Sequence, residues 1–243
     1  MDVMVAGGGI AGLTLALTCH QVGVSVRVFE SARNVRPLGL GINLQPNAVR
    51  ELFDLGFKDE LAAIGLPLQE CALVGRNGQD VWTEPRGLDA GYRWPQYSVH
   101  RGELEMMLYR AVLDRLGTDA VVTGHQVTGY VHTSNGAKVE VSNTDSVTTM
   151  VEARVLIGAD GLHSAVRAQM FPGYGGPRWG GTVLWRGVTE APPIRGGSTF
   201  VVVGGSSQRF VAFPISAPDP DTGFQTQNWI AEQWFDPHHG WRR

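Results

Sequence analysis

The chain has 243 residues, 43% of them hydrophobic and 18% charged, with a formal net charge of −3. That length holds one large domain or two small ones, and the composition is that of an ordinary globular protein. The weak negative charge excludes a global field that draws in nucleic acid, no apolar run reaches the length of a membrane span, and the two cysteines, Cys19 and Cys71, lack metal-ligand spacing and imply no disulfide framework.

The chain opens MDVMVAGGGIAGLTLAL. An apolar strand over Val3 to Ala6 runs into a glycine turn and then a helix, roughly Ala11 to Gln21. A strand beginning at residue 3 leaves no room for a signal peptide, so a cytoplasmic enzyme is the expectation. Gly7, Gly9 and Gly12 give G-x-G-x-x-G. The first glycine allows a tight turn, the second lets a pyrophosphate approach the backbone, and the third lets the helix pack closely on the strand. The helix aims its free N–H groups and the positive end of its dipole at such an anion. A second strand, SVRVFE, ends at Glu30, eighteen positions after Gly12. A carboxylate at that strand tip can accept hydrogen bonds from a ribose. The candidate dinucleotide residues are therefore Gly7, Gly9, Ile10, Ala11 and Gly12 in the turn, with Glu30 and Ser31 at the strand end.

Further along, Gly39 and Gly41 in RPLGLGINL are spaced for close backbone approach. Pro46-Asn47 opens a helix to about Leu55, stopped by Gly56. Residues 71–85 read as a hairpin around Asn77-Gly78. His100-Arg101 stands at the start of an amphipathic helix ending near Gly117. Residues 120–157 alternate as short strands with an Asn135-Gly136 turn, and VLIGADGLHSAVR reads as buried strand, turn and helix. From 182 to 235 the pattern is β-rich. The seven tryptophans, Trp82, Trp94, Trp179, Trp185, Trp229, Trp234 and Trp241, all avoid the dinucleotide unit. As a set they suggest an aromatic-rich interior suited to a flat apolar ligand. His238-His239 is not a convincing metal pair, because adjacent residues point apart and no third ligand recurs nearby.

Several stretches carry a resemblance: PLGLGINLQPNAV at 37–49, HRGELEMML at 100–108, VLIGADGLHSAVR at 155–167, WRGV at 185–188, FPIS at 213–216 and NW at 228–229. Together with the glycine turn they resemble the flavoprotein aromatic hydroxylases, the group A, para-hydroxybenzoate-hydroxylase-like monooxygenases. Within that family EPRGLDAGYRWPQYSVHRGEL is similar to the phenazine-modifying branch, the methylphenazine-carboxylate hydroxylases. The resemblance implies FAD as cofactor and NADH or NADPH as co-substrate. It also implies hydroxylation of a small aromatic or fused heteroaromatic substrate by molecular oxygen through a flavin C4a-hydroperoxide. It places Arg101 at the FAD phosphates, the Val127 backbone by the adenine, Asp160 of the DG motif at FAD and reduced nicotinamide, and, loosely, Arg209 near the flavin. No catalytic residue is assigned.

The implied fold is α/β, a Rossmann-like FAD-binding domain with a β-rich substrate domain. The first is expected over 1–70 and 100–170, the second over 71–99 and 171–243. Members of the family carry a second flavin motif, G-D-A-A-H, which this sequence lacks, so the chain is expected to be truncated before it. Two alternatives stay open: a non-catalytic FAD- or ADP-binding remnant or interaction module, and a flavin dehydrogenase or halogenase on the same scaffold. The only lysines, Lys58 and Lys138, are poorly placed for a halogenase.

Overall fold

The computed structural model describes residues 1–236; His238, His239 and Trp241 lie outside the described residues. From the N-terminus the elements are β1 (Val3–Ala6), α1 (Ile10–Gln21), β2 (Val26–Glu30), β3 (Gly41–Leu44), α2 (Pro46–Asp54), α3 (Lys58–Ile64) and β4 (Gly65–Leu68). Then come β5 (Glu70–Val74), β6 (Asp80–Pro85), β7 (Gln96–His100) and α4 (Arg101–Leu116). Next are β8 (Val121–Thr123), β9 (His125–Thr133), β10 (Gly136–Asn143), β11 (Thr148–Ala153), β12 (Val155–Gly158) and α5 (Ala165–Met170). The last are β13 (Thr182–Ala191), β14 (Thr199–Gly204), β15 (Gln208–Pro214) and β16 (Gln225–Trp234).

The mixed α/β class is as expected, and two compact units share the chain. The first comprises Met1–Pro37 and Glu105–Arg178; the second comprises Leu38–Leu104 and the residues from Trp179 on. The boundaries expected at 70/71 and 99/100 therefore move. Residues 38–70 pack with the β-rich unit because β3 and β4 both pair with β7 in a three-stranded antiparallel sheet.

In the first unit a parallel sheet has the order β12-β1-β2-β8. Parallel strands are covered on both faces and read as continuous apolar runs. VMVA obeys this, with Met4 and Val5 at 0% exposure. The third glycine of the turn brings α1 close over Val5. The opposite face meets an antiparallel sheet of order β11-β10-β9, whose strand GAKVEVSN alternates Ala137, Val139 and Val141 inward. These side chains join Met4, Ala6, Phe29, Val127, Ala153 and Val166 in one core cluster.

The second unit holds the β3-β7-β4 sheet and a six-stranded sheet of order β13-β16-β15-β14-β5-β6. The expected hairpin of 71–85 is β5 with β6, and β5 also pairs in parallel with β14. Val211, Phe213 and Ile215 form its core cluster with Phe200, Val202 and Ile230 packed against it. Pro46 opens α2 as read from the sequence, its fixed φ suiting the first helical position. The short α3 was not foreseen, since seven residues are too few to show a helical period.

The tryptophans correct an expectation. Trp82, Trp179, Trp185 and Trp234 are 45–53% exposed, and among the described residues only Trp94 and Trp229 are partly buried tryptophans. Trp82, Trp185 and Trp234 decorate strand surfaces instead of filling an interior, because a sheet presents alternate residues to opposite faces, and Trp179 lies in the loop before β13. Cys19 and Cys71 are both free and buried. Among the described residues no helix is long and apolar enough to cross a membrane.

Met4 is a fully buried member of the first core cluster. Met4→Ala is expected to lower stability by about 2–5 kcal/mol, the scale for truncating a buried large side chain. Urea unfolding checks it, with the midpoint falling at unchanged slope.

Candidate functional site

β1 is paired on both sides, Ala6 lying between Gly158 of β12 and Phe29 of β2. The three strands run in parallel and end together, so the glycine turn after β1, Glu30 at the end of β2 and Asp160 just after β12 arrive at one edge of the sheet. Ligands of open parallel sheets sit at this carboxyl edge.

Each glycine of the turn has its own reason. Gly7 has φ +103°, and a Cβ there would lie 2.4 Å from the Ala159 carbonyl oxygen. Its N–H donates to the Phe29 carbonyl at 2.8 Å, and the Ala159 N–H donates to that of Ala6 at 2.8 Å. A Cβ on Gly12 would stand 2.0 Å from the Gly7 carbonyl oxygen, so α1 can start this close to β1 only with glycine at that position. Gly9 differs from both. It is the N-cap of α1 in ordinary extended geometry, φ −74° and ψ −177°, and a Cβ there would meet nothing within 4 Å.

The first turn of α1 has neither a capping side chain nor an acidic residue. The leading N–H groups of a helix have no intrahelical acceptor, so those of Ile10, Ala11 and Gly12 form the positive end of the helix beside the open space at Gly9. An uncapped helix N-terminus of this kind is suited to an anion such as a phosphate.

Glu30 is bound into the turn. Its Oε2 accepts from the Gly8 N–H at 2.7 Å, and its Oε1 accepts from the Ala32 N–H at 2.7 Å and the Ser31 hydroxyl at 3.2 Å. A carboxylate takes about four hydrogen bonds, so capacity for one more donor remains on the Oε2 side. The sequence pointed to Glu30 as a ribose acceptor; its grip on Gly8 is an added role that spacing could not reveal.

Asp160 works on its own helix. Its Oδ1 accepts from the Ser164 hydroxyl at 2.6 Å and its Oδ2 from the Val166 N–H at 3.2 Å, while Ser164 caps α5 through the Arg167 N–H at 2.9 Å. Val127 is 4% exposed with its side chain in the core cluster. It sits on β9, an edge strand, where backbone groups facing away from β10 lack a partner within the sheet.

Arg101 belongs to the second unit, where it opens α4. Its backbone N–H donates to the Leu40 carbonyl at 2.9 Å and its Nη1 to the Leu38 carbonyl at 3.3 Å. Arg209 is engaged by Glu232, with Nε to Oε2 at 2.8 Å. Burial pushes the Cys19 thiol up, which makes it a poor nucleophile. Among the described residues no cluster of three or more His, Cys, Asp or Glu could hold a metal ion.

The contrast between Gly9 and Gly12 gives a paired test. Gly9→Ala is expected to leave the apo melting temperature within about 1 °C of wild type while weakening ADP and FAD binding at least about tenfold, because the methyl occupies only ligand space. Gly12→Ala is expected to lower the melting temperature as well, since backbone must move. Melting curves with calorimetric titrations separate the two effects.

Comparison with known proteins agrees with this geometry. Residues 1–227 match the family model described as FAD binding domain. The chain is 43% identical over 233 residues to the phenazine 1,6-dicarboxylic acid hydroxylase PhzS of Lysobacter antibioticus, covering 94% of this chain and 57% of that protein. It is 34% identical to the aurachin C monooxygenase/isomerase of Stigmatella aurantiaca, covering 78% of this chain and 48% of the relative. Klebsiella pneumoniae HpxO, solved with FAD and uric acid, superposes with a TM-score of 0.78 at 26% identity, over 100% of this chain and 58% of that one. The chain thus spans about half the length of such relatives. The glycine turn, the acid at the end of β2 and the match over nearly all its residues together establish that the chain belongs to the FAD binding domain family.

Proposed function

We propose that this chain is the cofactor-holding part of an FAD-dependent monooxygenase that uses NADH or NADPH to hydroxylate a small aromatic or fused heteroaromatic substrate. One observation carries the reading: an uncapped helix N-terminus facing open space at Gly9, with the Glu30 carboxylate at the neighbouring strand end. Those features fit the pyrophosphate and adenosine ribose of FAD. When bound, FAD supplies acceptance of a hydride from reduced nicotinamide and activation of molecular oxygen. One oxygen atom enters the aromatic ring and the other leaves as water.

The chain's own residues bind and orient. The N–H groups of Ile10, Ala11 and Gly12 would take the pyrophosphate, with Gly7 making the tight turn and Gly9 leaving the ligand room. Glu30 accepts from a ribose hydroxyl while keeping Gly8 in place, with Ser31 beside it. Arg101 would offset phosphate charge, as the family resemblance implies, through a guanidinium suited to two parallel bonds. The Val127 backbone would lie by the adenine, as the family resemblance implies. Asp160, whose carboxylate holds the start of α5, would also meet FAD and the reduced nicotinamide, as the resemblance of its DG motif implies. In this reading the first unit takes the adenosine end, and the second presents the substrate surface. The Phe210–Trp229 stack, with ring centroids 6.3 Å apart, and half-exposed Trp185 provide flat apolar area there.

Glu30→Ala is expected to weaken ADP and FAD alike by about 1–3 kcal/mol, the scale of a charge-assisted hydrogen bond. Equal affinities for variant and wild type remove Glu30 from the site. For the reaction, the chain is incubated with FAD, NADH or NADPH and phenazine-1,6-dicarboxylic acid, the compound in the name of the Lysobacter relative. Hydroxylated product is measured beside hydrogen peroxide. Product formation supports the monooxygenase; FAD binding with no nicotinamide oxidation under any of these substrates supports a binding module instead.

A further inference from the structure

Within the second unit, the backbone at Gly41 is gripped from the side by the six-stranded sheet. The Gly41 N–H donates to Asn228 Oδ1 at 2.8 Å, a buried bond between residues 187 positions apart. The Gly41 carbonyl accepts from Arg186 Nη2 at 3.3 Å. A Cβ on Gly41 would lie 2.6 Å from the Asn228 Cβ and 2.7 Å from the Phe213 ring. Asn228 on β16 pairs with Phe213 on β15 and with Val188 on β13, two residues from Arg186, so all three side chains share one face. Asn228 is 0% exposed, and its Nδ2 has no partner among the described residues. Its amide orientation therefore rests on Gly41.

The segment just before Gly41 carries Arg101. Gly41 pairs with His100, the residue before Arg101. The Leu38 and Leu40 carbonyls accept from the Arg101 side chain and backbone. Gly39 has φ +130°, and a Cβ there would stand 3.2 Å from the Arg101 Cβ. Residues 38–41 thus lie between Arg101 on one side and Asn228 with Arg186 on the other.

We propose that Asn228 is a positioning residue for Arg101, acting through the Leu38–Gly41 backbone, with Arg186 as its second contact. The proposal rests on the reading that Arg101 meets FAD. A buried N–H deprived of its acceptor costs its full desolvation penalty, so the segment shifts when Asn228 is truncated. Arg101 shifts with it.

The test compares Asn228→Ala with Asn228→Asp, which keeps an acceptor for the Gly41 N–H and places it near the Arg186 guanidinium. FAD affinity is read from flavin fluorescence, AMP affinity by titration, and amide exchange over 38–44 in the apo protein. Asn228→Ala is expected to raise the FAD Kd about 5–10-fold, the equivalent of one lost hydrogen bond, to leave AMP within about twofold and to speed exchange at Gly41. Asn228→Asp is expected to restore both FAD affinity and protection. An Asn228→Ala variant that binds FAD like wild type while Gly41 exchanges faster overturns the proposal, as does an Asp variant no better than Ala. Should the Ala variant fail to fold, Arg186→Gln carries the test: a weakened FAD Kd supports the clamp, and an unchanged one overturns it. Arg101→Ala separates the levels. If it leaves FAD affinity unchanged, the assignment of Arg101 to the cofactor fails, and the positioning role fails with it.

Discussion

The contact between position 12 and the Gly7 carbonyl governs the first unit. At 2.0 Å from a carbonyl oxygen, a Cβ on Gly12 has no space, and the obstacle is backbone, which cannot swing aside as a flexible side chain can. Glycine there lets α1 descend onto Val5 and start directly above the end of β1. The rest of the cradle follows. The N-terminal N–H groups of α1 reach the sheet edge, Gly8 comes within 2.7 Å of Glu30, and Gly7 has to yield to the Ala159 carbonyl. The turn is thus closed from both neighbouring strands and open only at Gly9, where geometry makes no demand for glycine. Gly9 is an open position with no steric need for glycine, between Gly7 and Gly12, which both require it.

The second unit uses the same device with side chains in place of strands. Gly41 admits Asn228 and Phe213 because it has no Cβ, and the bonds from its N–H and carbonyl then hold a loop segment to a sheet distant in sequence. Backbone groups at the end of a short strand need partners when buried. Here asparagine and arginine supply them, and Arg101 completes the frame from the other side.

Exposed apolar area is the other notable property. Besides the tryptophans, Val155 and Ile157 on β12 are 46% and 37% exposed, which corrects the expectation that this strand is buried. They alternate with Leu156, which packs on the core cluster, so their exposure follows from strand alternation and from α1 covering β1 and β2 instead of β12.

What the sequence by itself determined is what local chemistry dictates. The glycine spacing, the apolar run before it and the acid after β2 specify strand, turn, helix and strand. Pro46 starts α2, and the Asn77-Gly78 and Asn135-Gly136 turns mark hairpins, since each depends on the φ/ψ of a few consecutive residues. The family resemblance was legible in the same stretches. What only the tertiary structure decided depends on residues brought together from afar. Strand pairing moved 38–70 out of the first unit, because β7 pairs with β3 and β4 instead of following the chain order of patterns. The face that each tryptophan occupies depended on sheet register, which composition cannot supply. Glu30 gained its hold on Gly8, and Asn228 its hold on Gly41, because a hydrogen bond needs two groups within about 3 Å, and folding alone sets that distance for residues so far apart in the chain.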